Sequence, residues 1–325
     1  MERQVSTVQA GVIGAGHLGA FHAQKYASME GVQLAAVFDV DPARAAAVAA
    51  MAGCAAAGSL EQLLAIVDCA SIAVPTRAHH NVALAAIDAG VHVLVEKPLA
   101  ASAASGRAIV EAGERAGLLV QVGHLERFNP AFADLPSIVT EPRFIECHRL
   151  SPFAGRGTDT DVVFDVMIHD LDLISFVVGR EVESVQAIGV AVLSDHADIA
   201  NARLRFQGGC IANVTASRVS LKRERRLRIF QEDAYVAVDF DARSLRVMRR
   251  RPGTRIDPAA PMNALTMEER AFDDADPLRE QIAAFVAAVR GERAPAVSGR
   301  EAMNALELAD QVLAALAAEQ ERHRR

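Results

Sequence analysis

Short apolar runs alternate with helical segments along the first 123 residues of the chain. The runs predicted as strands cover residues 8–13, 32–38, 69–74, 91–95 and 118–122. Each run is mainly apolar rather than alternating, which is typical of parallel strands that are buried on both faces. The segments between them predict helices at about 17–28, 42–52, 78–89 and 102–116, with a short helix after Ser59. The pattern therefore predicts a doubly wound α/β domain over residues 1–123.

Residues that begin and end helices support this division into elements. Asp41 before Pro42 has the form of a helix N-cap followed by a proline in the first turn. Ser59 with Gln62 three residues later has the spacing of a capping box. Gly117 stands where the helix at 102–116 should end.

From residue 124 onward the pattern changes to one long helix followed by mainly β-type runs. The helix is predicted at 161–178, ending at Gly179, and the strands at 182–192, 199–206, 210–216, 227–230 and 235–240. Two helices close the chain, one beginning at Asp276 and one at a capping box formed by Ser298 and Glu301. We expect an α+β domain over residues 124–325 with a mostly antiparallel open sheet, whose last helix could return to the first domain.

The exposed face of such a sheet needs a cover. We expect no later helical segment to be long enough to cover that face alone. We therefore expect a homodimer or homotetramer that forms through the C-terminal sheet.

A glycine-rich turn follows the first predicted strand. Gly14, Gly16 and Gly19 have the G-x-G-x-x-G spacing between that strand and a helix, and Asp39 stands at the end of the next strand. In this setting the glycines allow a tight turn, close approach to a pyrophosphate and close helix packing, and the acid binds an adenosine ribose. The spacing predicts a dinucleotide site in a Rossmann-type domain.

The acidic residues near this turn also indicate which dinucleotide binds. Asp39 and Asp41 would repel a 2′-phosphate, whereas Asp39 can accept a hydrogen bond from a free 2′-hydroxyl. Arg44 could soften the preference, but we expect it at a solvated position on the second helix. The sequence thus favours NAD over NADP.

Glu96-Lys97-Pro98 follows the apolar run 91–95, at a strand end that should open into a ligand cleft. The chain has only three lysines, Lys25, Lys97 and Lys222, and arginine supplies nearly all of its other positive charge. A desolvated lysine can lose its proton and arginine effectively cannot, so Lys97 is a candidate for proton transfer. The alternative is an ordinary exposed lysine at a strand end.

The helix at 161–178 carries a polar stripe. Asp165, His169 and Asp172 stand at positions i, i+4 and i+7, which places them on one helical face. Beside a dinucleotide domain, the imidazole and carboxylates could handle protons and bind a substrate hydroxyl. A solvated helix face is the alternative.

Two further segments are candidates for substrate contact. His124, Arg127 and Asn129 come just after a carboxyl strand end, where simple loop structure is the alternative. Arg218 opens a basic segment that continues to Arg228 and could form a rim that receives phosphates. A solvated loop and strand edge would explain the same arginines.

Composition limits the remaining classes of function. The formal net charge is −7, with 51% hydrophobic and 23% charged residues, which argues for a globular chain and against general binding to nucleic acid or anionic membrane. The N-terminus shows no signal-type segment, and no apolar run approaches membrane-spanning length. The four cysteines are scattered without metal-site or disulfide spacing, so we expect no metal and reduced thiols in the cytoplasm.

Taken together, these motifs resemble the Gfo/Idh/MocA family of nicotinamide-dependent oxidoreductases along nearly the whole chain. The motifs that carry the resemblance are the glycine turn at 14–19, the Pro75-Thr76-Arg77-Ala78-His79 segment, residues 89–99 around Glu96-Lys97-Pro98, and Asp165 with His169. The resemblance implies catalytic roles for Lys97, His169 and Asp165. It also implies cofactor contacts from the following residues: Gly14, Gly16, His17, Leu18, Gly19, Asp39, Pro75, Thr76, His79, Glu96 and Lys97.

A narrower resemblance concerns residues 123–130, 161–170 and 213–218, which are similar to the UDP-N-acetylglucosamine 3-dehydrogenases that serve the route to 3-amino-sugar lipid A. It implies NAD-dependent oxidation of the 3-hydroxyl, with Lys97 and His169 sharing the proton work and Lys97 expected to meet the substrate oxygen. Which of the two takes the proton first stays open. From their positions, the residues expected to contact the substrate are His124, Arg127, Asn129, Asp172 and Arg218.

Other activities remain alternatives. The family commonly has glycines before the helix aspartate, whereas this chain has Asp159-Thr160-Asp161, which argues against a generic inositol or free-sugar substrate. Another UDP-sugar, a free sugar or an inositol would keep the same fold and chemistry. A non-catalytic dinucleotide-sensing regulator is an alternative of a different class, because a fold does not by itself imply chemistry.

Overall fold

The structure is a computed structural model, and it describes residues 7–153, 161–255, 257–273 and 275–323. The departure at Asp159 and Thr160 lies outside the described residues. The chain divides into two compact units. The first comprises the residues up to Leu125 together with Asp276–Leu306, and the second comprises Glu126–Ala275 and the residues from Glu307 onward.

The first unit contains a six-stranded parallel sheet. Its strands are β1 (Val8–Ile13), β2 (Val32–Phe38), β3 (Ala55–Ala56), β4 (Cys69–Ile72), β5 (His92–Glu96) and β6 (Val120–Gly123). The strand order is β3-β2-β1-β4-β5-β6, so successive strands are added on one side of β1 up to β3 and on its other side from β4 onward. The carboxyl ends of the strands beside that switch point are where α/β sheets bind ligands.

Five helices connect these strands. They are α1 (His17–Ala27), α2 (Pro42–Ala52), α3 (Leu60–Leu64), α4 (Thr76–Asp88) and α5 (Ala103–Ala116). The predicted caps are present: the Asp41 carboxylate accepts hydrogen bonds from the N–H groups of Ala43 and Arg44, and Ser59 Oγ accepts one from Gln62 N–H. Gly117 ends α5 with φ 68°, in the left-handed region that glycine tolerates best.

An eight-stranded sheet dominates the second unit. Its strands are β7 (Phe144–Leu150), β8 (Val182–Val190), β9 (Ile199–Phe206), β10 (Ile211–Ser217), β11 (Glu224–Phe230), β12 (Ala234–Asp239), β13 (Ser244–Arg250) and β14 (Leu265–Ala271). The order is β14-β13-β12-β11-β7-β10-β9-β8, and the described pairs are antiparallel except β7 with β10. The predicted fold class, a parallel α/β sheet plus a mostly antiparallel α+β sheet, is confirmed.

The helical segments of the second unit precede or follow β7. A 3₁₀ turn at Leu125–Phe128 spans the boundary between the units, and the short helices α6 (Pro130–Ala133) and α7 (Leu135–Ile138) come next. After β7 the chain forms a π-helical turn at Val163–Met167, which continues into α8 (Ile168–Val178) and ends at Gly179. The buried side of α8 packs on β7 and β10.

Two helices close the chain, as the sequence predicts. Helix α9 (Pro277–Val289) is capped by Asp276 and contributes Ile282, Phe285 and Val286 to the core beneath α1 and β1. Helix α10 (Gly299–His323) begins at a reciprocal capping box, in which Ser298 N–H donates to Glu301 and Glu301 N–H donates to Ser298 Oγ. A short 3₁₀ turn at Pro261–Ala264 precedes β14.

Candidate active site

The glycine-rich turn is built as its spacing predicts. Gly14 has φ 101°, and a Cβ there would lie 2.6 Å from the Ala73 carbonyl oxygen. A Cβ on Gly19 would lie 1.8 Å from the Gly14 carbonyl oxygen, so α1 packs against the turn at a distance only glycine allows. A Cβ on Gly16 would meet nothing within 4 Å. The open side of the turn is therefore at Gly16, where a ligand can approach the backbone.

The beginning of α1 presents backbone N–H groups beside this opening. Gly16 is the N-cap residue, and no side chain caps the helix. Uncapped N–H groups and the positive end of the helix dipole favour a phosphate group at this position. His17 packs edge-on against Phe21 with ring centroids 4.7 Å apart, and Leu18 is exposed at the same end of α1. These features fit the pyrophosphate of a dinucleotide.

Asp39 ties the end of β2 to the glycine turn. Its Oδ2 accepts a hydrogen bond from Ala15 N–H at 2.7 Å, and its Oδ1 accepts one from Asp41 N–H at 2.8 Å. Arg44 lies 3.1 Å from Asp39 and 3.2 Å from Asp41, so it is paired with both acids rather than simply solvated. A carboxylate offers about four lone-pair sites, which leaves Asp39 able to accept from a ribose hydroxyl.

Lys97 directly follows β5 and is half-buried, and the Lys97–Pro98 peptide bond is cis. The Glu96 side chain before it accepts a hydrogen bond from His22 Nε2 at 2.9 Å. Burial alone would raise the pKa of Glu96, but the His22 hydrogen bond and the neighbouring charge of Lys97 bring it below its ordinary value. Glu96 therefore places a negative charge beside the candidate lysine.

The segment that begins α4 lies at the end of β4. Pro75 is the N-cap residue of α4 and is exposed, and Thr76 is the first helical residue. His79 is buried, and its two ring nitrogens lie 2.9 Å from the carbonyl oxygens of Pro98 and Val74. Both ring nitrogens of His79 thus contact the backbone, and burial lowers its pKa.

In the second unit, the predicted polar stripe spans two kinds of helix. Asp165 lies in the π-helical turn, whereas His169 and Asp172 lie on α8 at i and i+3. The expectation of one uniform α-helix with an i, i+4, i+7 face is wrong in this detail, because a π turn has a wider period. Asp172 is 1% exposed and the other two side chains are half-buried, so the stripe is not a solvated face.

Arg127 and Asp172, both candidates for substrate contact, bind each other. Arg127 Nε and one terminal nitrogen each donate to a different oxygen of Asp172 at 2.7 Å. The guanidinium also lies 4.0 Å from the ring centroid of Phe176 on α8. A bidentate buried pair of this kind fixes the helix that carries His169 to the turn at Leu125–Phe128.

A second buried ion pair, which no sequence pattern predicts, involves Asp170. Arg149 donates to Asp170 at 2.9 and 2.8 Å and to Glu126 at 2.9 Å. Burial lowers the pKa of Arg149, but the two carboxylates outweigh that effect and hold its pKa above the ordinary value. Both Glu126 and Arg127 are therefore connected to α8. Arg127 binds Asp172 directly, and Glu126 shares Arg149 with Asp170.

The remaining candidates for substrate contact have structural partners. His124 is buried directly after β6. Asn129 caps α6 through Ala131 N–H, and its amide donates to Glu126 and to the Phe240 carbonyl oxygen. Arg218 is buried and donates to Asp198 at 2.8 Å. Asn129 and Arg218 thus serve the fold in ways that the sequence analysis did not predict.

Asp198 is the anchor for Arg218. Burial would raise its pKa, but hydrogen bonds from Leu193 N–H, Arg218, Ser194 and Val192 N–H hold the pKa well below its usual range. The same loop is tied to the start of the helical segment, since Ala197 N–H donates to Asp161. Arg218 therefore helps to fix the loop at residues 192–198, whose N–H groups donate to the same carboxylate.

Most other arginines of the basic segment are also paired. The pairs are Arg223 with Asp241, Arg225 with Glu126 and Asp241, Arg226 with Asp239, and Arg228 with Glu146. The expected strand edge is wrong for residues 224–230, because β11 lies inside the sheet between β12 and β7. Ion pairs, several of them to neighbouring strands, compensate the charges of this segment. In the ranges that the structure describes, no group of three or more His, Cys, Asp or Glu side chains is arranged to hold a metal ion.

The strand order, the glycine turn and the acid at the end of β2 define a dinucleotide-binding protein of the doubly wound class. Family models make this more specific. Residues 8–124 match the model of an oxidoreductase family with an NAD-binding Rossmann fold, and residues 141–237 match the GFO/IDH/MocA C-terminal domain. The chain belongs to the Gfo/Idh/MocA family and is an NAD-dependent oxidoreductase.

Individual relatives agree with this assignment. The chain is 45% identical over 248 residues to UDP-N-acetylglucosamine 3-dehydrogenase from Acidithiobacillus ferrooxidans, covering 76% of this chain and 79% of the relative. It is 36% identical over 191 residues to inositol 2-dehydrogenase from Pseudarthrobacter chlorophenolicus, covering 55% and 57%. The solved structure of the Acidithiobacillus ferrooxidans enzyme, GnnA, superposes with a TM-score of 0.87 at 40% identity and covers 96% of this chain and 98% of that chain.

These comparisons confirm the predicted family, its NAD cofactor and the resemblance to UDP-N-acetylglucosamine 3-dehydrogenase. The oxidoreductase family membership favours an enzyme over the alternative of a non-catalytic regulator. Among the described residues, none of the helices combines the length and apolar character that a bilayer-spanning segment requires.

Proposed function

We propose that the chain oxidises the 3-hydroxyl of UDP-N-acetylglucosamine to a 3-keto sugar. The observation that carries this proposal is the 45% identity to a UDP-N-acetylglucosamine 3-dehydrogenase over three quarters of the chain. The same relative supports the choice of the C3 hydroxyl, because its name specifies that position.

The residues named above supply the binding and proton steps of this reaction. The turn at 14–19 and Asp39 would hold NAD, and the bound nicotinamide supplies the hydride acceptor. Lys97, held at the end of β5, would take the proton of the substrate hydroxyl. His169 would share that proton work and Asp165 would support it, each from the helical segment at 163–178.

A panel of alcohols tests the substrate. NADH formation is measured at 340 nm, roughly the nicotinamide absorption maximum, with UDP-N-acetylglucosamine, UDP-glucose, UDP-N-acetylglucosamine uronate, N-acetylglucosamine and myo-inositol. We expect the first to give the highest kcat/KM. Turnover of myo-inositol alone would support the second candidate, an inositol dehydrogenase, which the 36% identity to inositol 2-dehydrogenase makes reasonable. Absence of turnover with every UDP-sugar would contradict the proposal.

Replacing Asp39 by Ser should weaken NAD more than it weakens NADP. The carboxylate is expected to accept a ribose hydrogen bond, and such a bond to a charged group contributes about 1.5–3 kcal/mol, or roughly 10- to 100-fold in affinity. With the acid removed, Arg44 loses one partner and can face a 2′-phosphate. Dissociation constants for both cofactors, from fluorescence titration, measure the change. An unchanged ratio of the two constants would contradict the assignment of Asp39.

We also propose that the chain forms a homodimer or homotetramer through the open face of its eight-stranded sheet. Phe144, Phe230, Tyr235, Met248 and Met267 stand opposite one another across β7, β11, β12, β13 and β14. The rings of Phe144 and Phe230 lie 5.7 Å apart, and those of Phe230 and Tyr235 lie 5.1 Å apart. This apolar row, lying between charged rows, supports a symmetric contact.

Introducing a charge into that row should separate the subunits. We expect light scattering coupled to size exclusion to give a multiple of 34.6 kDa for the unaltered chain and 34.6 kDa for Phe230→Glu. Burying an unpaired carboxylate in an interface costs several kcal/mol, which is enough to dissociate it. Ile66→Glu, at an exposed apolar position of the first unit, is the control. A monomeric unaltered chain would contradict the proposal.

Two further expectations follow from the same proposal. A 3-keto nucleotide sugar is the substrate type that an aminotransferase needs, as in the route to 3-amino-sugar lipid A, and an adjacent aminotransferase or acyltransferase gene would support this role.

All four cysteines, Cys54, Cys69, Cys147 and Cys210, are free thiols, which supports action in the reducing cytoplasm.

A further inference from the structure

Two buried histidines contact the residues on either side of Lys97. His22, on α1, lies 2.9 Å from Oε1 of Glu96, and its side chain is fully buried. His79, on α4, lies 2.9 Å from the carbonyl oxygen of Pro98 and is 1% exposed. The segment that carries the candidate proton-transfer lysine is thus held from two different helices of the first unit.

The contact from His22 is the end of a longer buried chain of hydrogen bonds. Tyr26 Oη lies 2.9 Å from Ser71 Oγ, and Ser71 Oγ lies 2.9 Å from His22 Nδ1. All three side chains have no solvent exposure. An ionised Glu96 can only accept, so His22 donates from Nε2. In a neutral imidazole Nδ1 then accepts from Ser71, which in turn accepts from Tyr26. Every member of the chain then has a partner, and the orientation of Glu96 is fixed.

The Glu96 carboxylate packs closely against a glycine of the neighbouring strand. Glu96 pairs with Gly123 in the neighbouring strand β6, and a Cβ on Gly123 would lie 2.8 Å from Glu96 Oε1. The carboxylate therefore packs against the Cα of Gly123 and also binds His22 Nε2. A side chain at position 123 would displace the carboxylate from His22.

His79 makes the corresponding contact on the other side of Lys97. Its Nδ1 faces the carbonyl oxygen of Pro98 and its Nε2 faces that of Val74, at the end of β4. A neutral imidazole carries one N–H and donates to only one of these two carbonyl oxygens at a time, whereas an imidazolium donates to both. With the proton on Nδ1, the imidazole donates to the Pro98 carbonyl oxygen, and because a buried carbonyl is costly to leave unpaired, this hydrogen bond resists movement of the Lys97–Pro98 turn.

We propose that His22 and His79 are positioning residues that together hold Lys97 in place through Glu96 and Pro98. This inference rests on the proposed role of Lys97 in proton transfer. Neither histidine touches the reacting atoms in this assignment. Their effect is to fix the direction of the lysine and the position of the Glu96 charge next to it.

Paired substitutions of His79 and His22 test which contact matters. An Asn amide nitrogen takes the place of histidine Nδ1, and a Gln amide nitrogen takes the place of Nε2. His79→Asn, which keeps the donor toward Pro98, should therefore retain more of kcat than His79→Gln, which keeps only the donor toward Val74. His22→Gln keeps the donor toward Glu96 and should retain most of kcat, whereas we expect about a tenfold or larger loss in His22→Phe.

The pH profile should change in a defined direction in His22→Phe. The titratable groups that face Glu96 among the described residues are His22, His79 and Lys97. Burial raises the pKa of Glu96 and His22 lowers it, so removing His22 moves this pKa upward. Protonated Glu96 no longer places a charge beside Lys97, and the acidic limb of the kcat profile shifts to higher pH. The KM for NAD should change less than kcat.

A readout independent of activity comes from the small number of lysines. Protein labelled with ¹³C at the lysine ε-carbon gives signals from three residues, and the Lys97→Met variant identifies the signal of Lys97. We expect that signal to report the titration of Glu96 at higher pH in His22→Phe than in the unaltered protein. His92→Asn is the matched control, because His92 lies at the opposite end of β5 and accepts a hydrogen bond from Leu119 N–H.

Three results would overturn the inference: unaltered kcat and Lys97 signal in His22→Phe, equal kcat in His79→Asn and His79→Gln, or a loss confined to the KM for NAD. If the Phe variant does not fold, the spectrum of His22→Gln and the comparison of the two His79 variants decide the question. Normal turnover by Lys97→Met would instead contradict the proposed role of Lys97. The lysine spectrum would still show whether the two histidines hold it.

Discussion

Lys97→Met should lower kcat by about 10²- to 10⁴-fold, the range that a positioned acid or base contributes to a proton transfer. Met nearly matches lysine in length and removes only the charged, proton-exchanging group. The dissociation constant for NAD should change little, because the turn at 14–19 and Asp39 hold most of the dinucleotide. Pre-steady-state NADH formation and fluorescence titration measure the two quantities separately.

Lys25→Met is the matched control for Lys97→Met, because both lysines lie in the first unit. Lys25, near the end of α1, pairs with Asp276 at 2.6 Å and is partly exposed. Pairs of this kind contribute about 1 kcal/mol or less, so Lys25→Met should keep kcat and lose at most a little stability. Near-normal turnover by Lys97→Met would contradict its assignment, whereas a similar loss in both variants would indicate a general effect on the fold.

The parallel sheet could be predicted well because its strands obey a simple rule. Strands β1 and β2 were predicted at their observed bounds, since a strand that is buried on both faces is continuously apolar. Strand β3 was missed. It has two residues, Ala55 and Ala56, both exposed, and so it lacks the apolar run that identifies its neighbours.

The second sheet was predicted less completely, and β7 shows why. Its inward positions are Ile145, Cys147 and Arg149, and a buried arginine breaks the apolar alternation that would have revealed a strand. Arg149 can be buried because Asp170 and Glu126 neutralise it. The partners lie 21 and 23 residues away in sequence, so only the folded structure brings them together.

Strand β14 was missed for the opposite reason. Strand β14 lies at the end of the sheet and nearly all its residues are exposed, so its sequence, Leu-Thr-Met-Glu-Glu-Arg-Ala, has no apolar face. Charged residues are common on edge strands because they discourage pairing with other chains. Strand β13 lies inside the sheet and buries Leu245 and Val247, but Arg246, Arg249 and Arg250 leave it without an apolar run.

The site residues show the same contrast between local and distant constraints. The glycine turn and Asp39 are defined by spacing within one βαβ unit, which a sequence displays directly. The pairing of Arg127 with Asp172 joins residues 45 positions apart, and no spacing rule relates them. Sequence reasoning therefore identified polar residues near the site, but it could not separate those that bind each other from those that face a substrate.

Gly16→Ala and Gly19→Ala should affect the dinucleotide site in two different ways. A Cβ on Gly19 would overlap the Gly14 carbonyl oxygen at 1.8 Å, so the start of α1 must move away from the turn. Overpacking of a close-packed contact costs roughly 1–3 kcal/mol and sometimes more. Gly19→Ala should therefore lower both the melting temperature and the affinity for NAD.

Gly16→Ala is expected to leave the melting temperature unchanged and still to weaken NAD binding by about tenfold or more, because the second glycine lets the backbone approach the pyrophosphate. The structure supports this separation, since a Cβ on Gly16 meets no protein atom within 4 Å and would project into the space left for the ligand. Thermal melting without NAD and fluorescence titration with NAD give the two readouts. If Gly16→Ala bound NAD normally, the pyrophosphate would have to lie elsewhere.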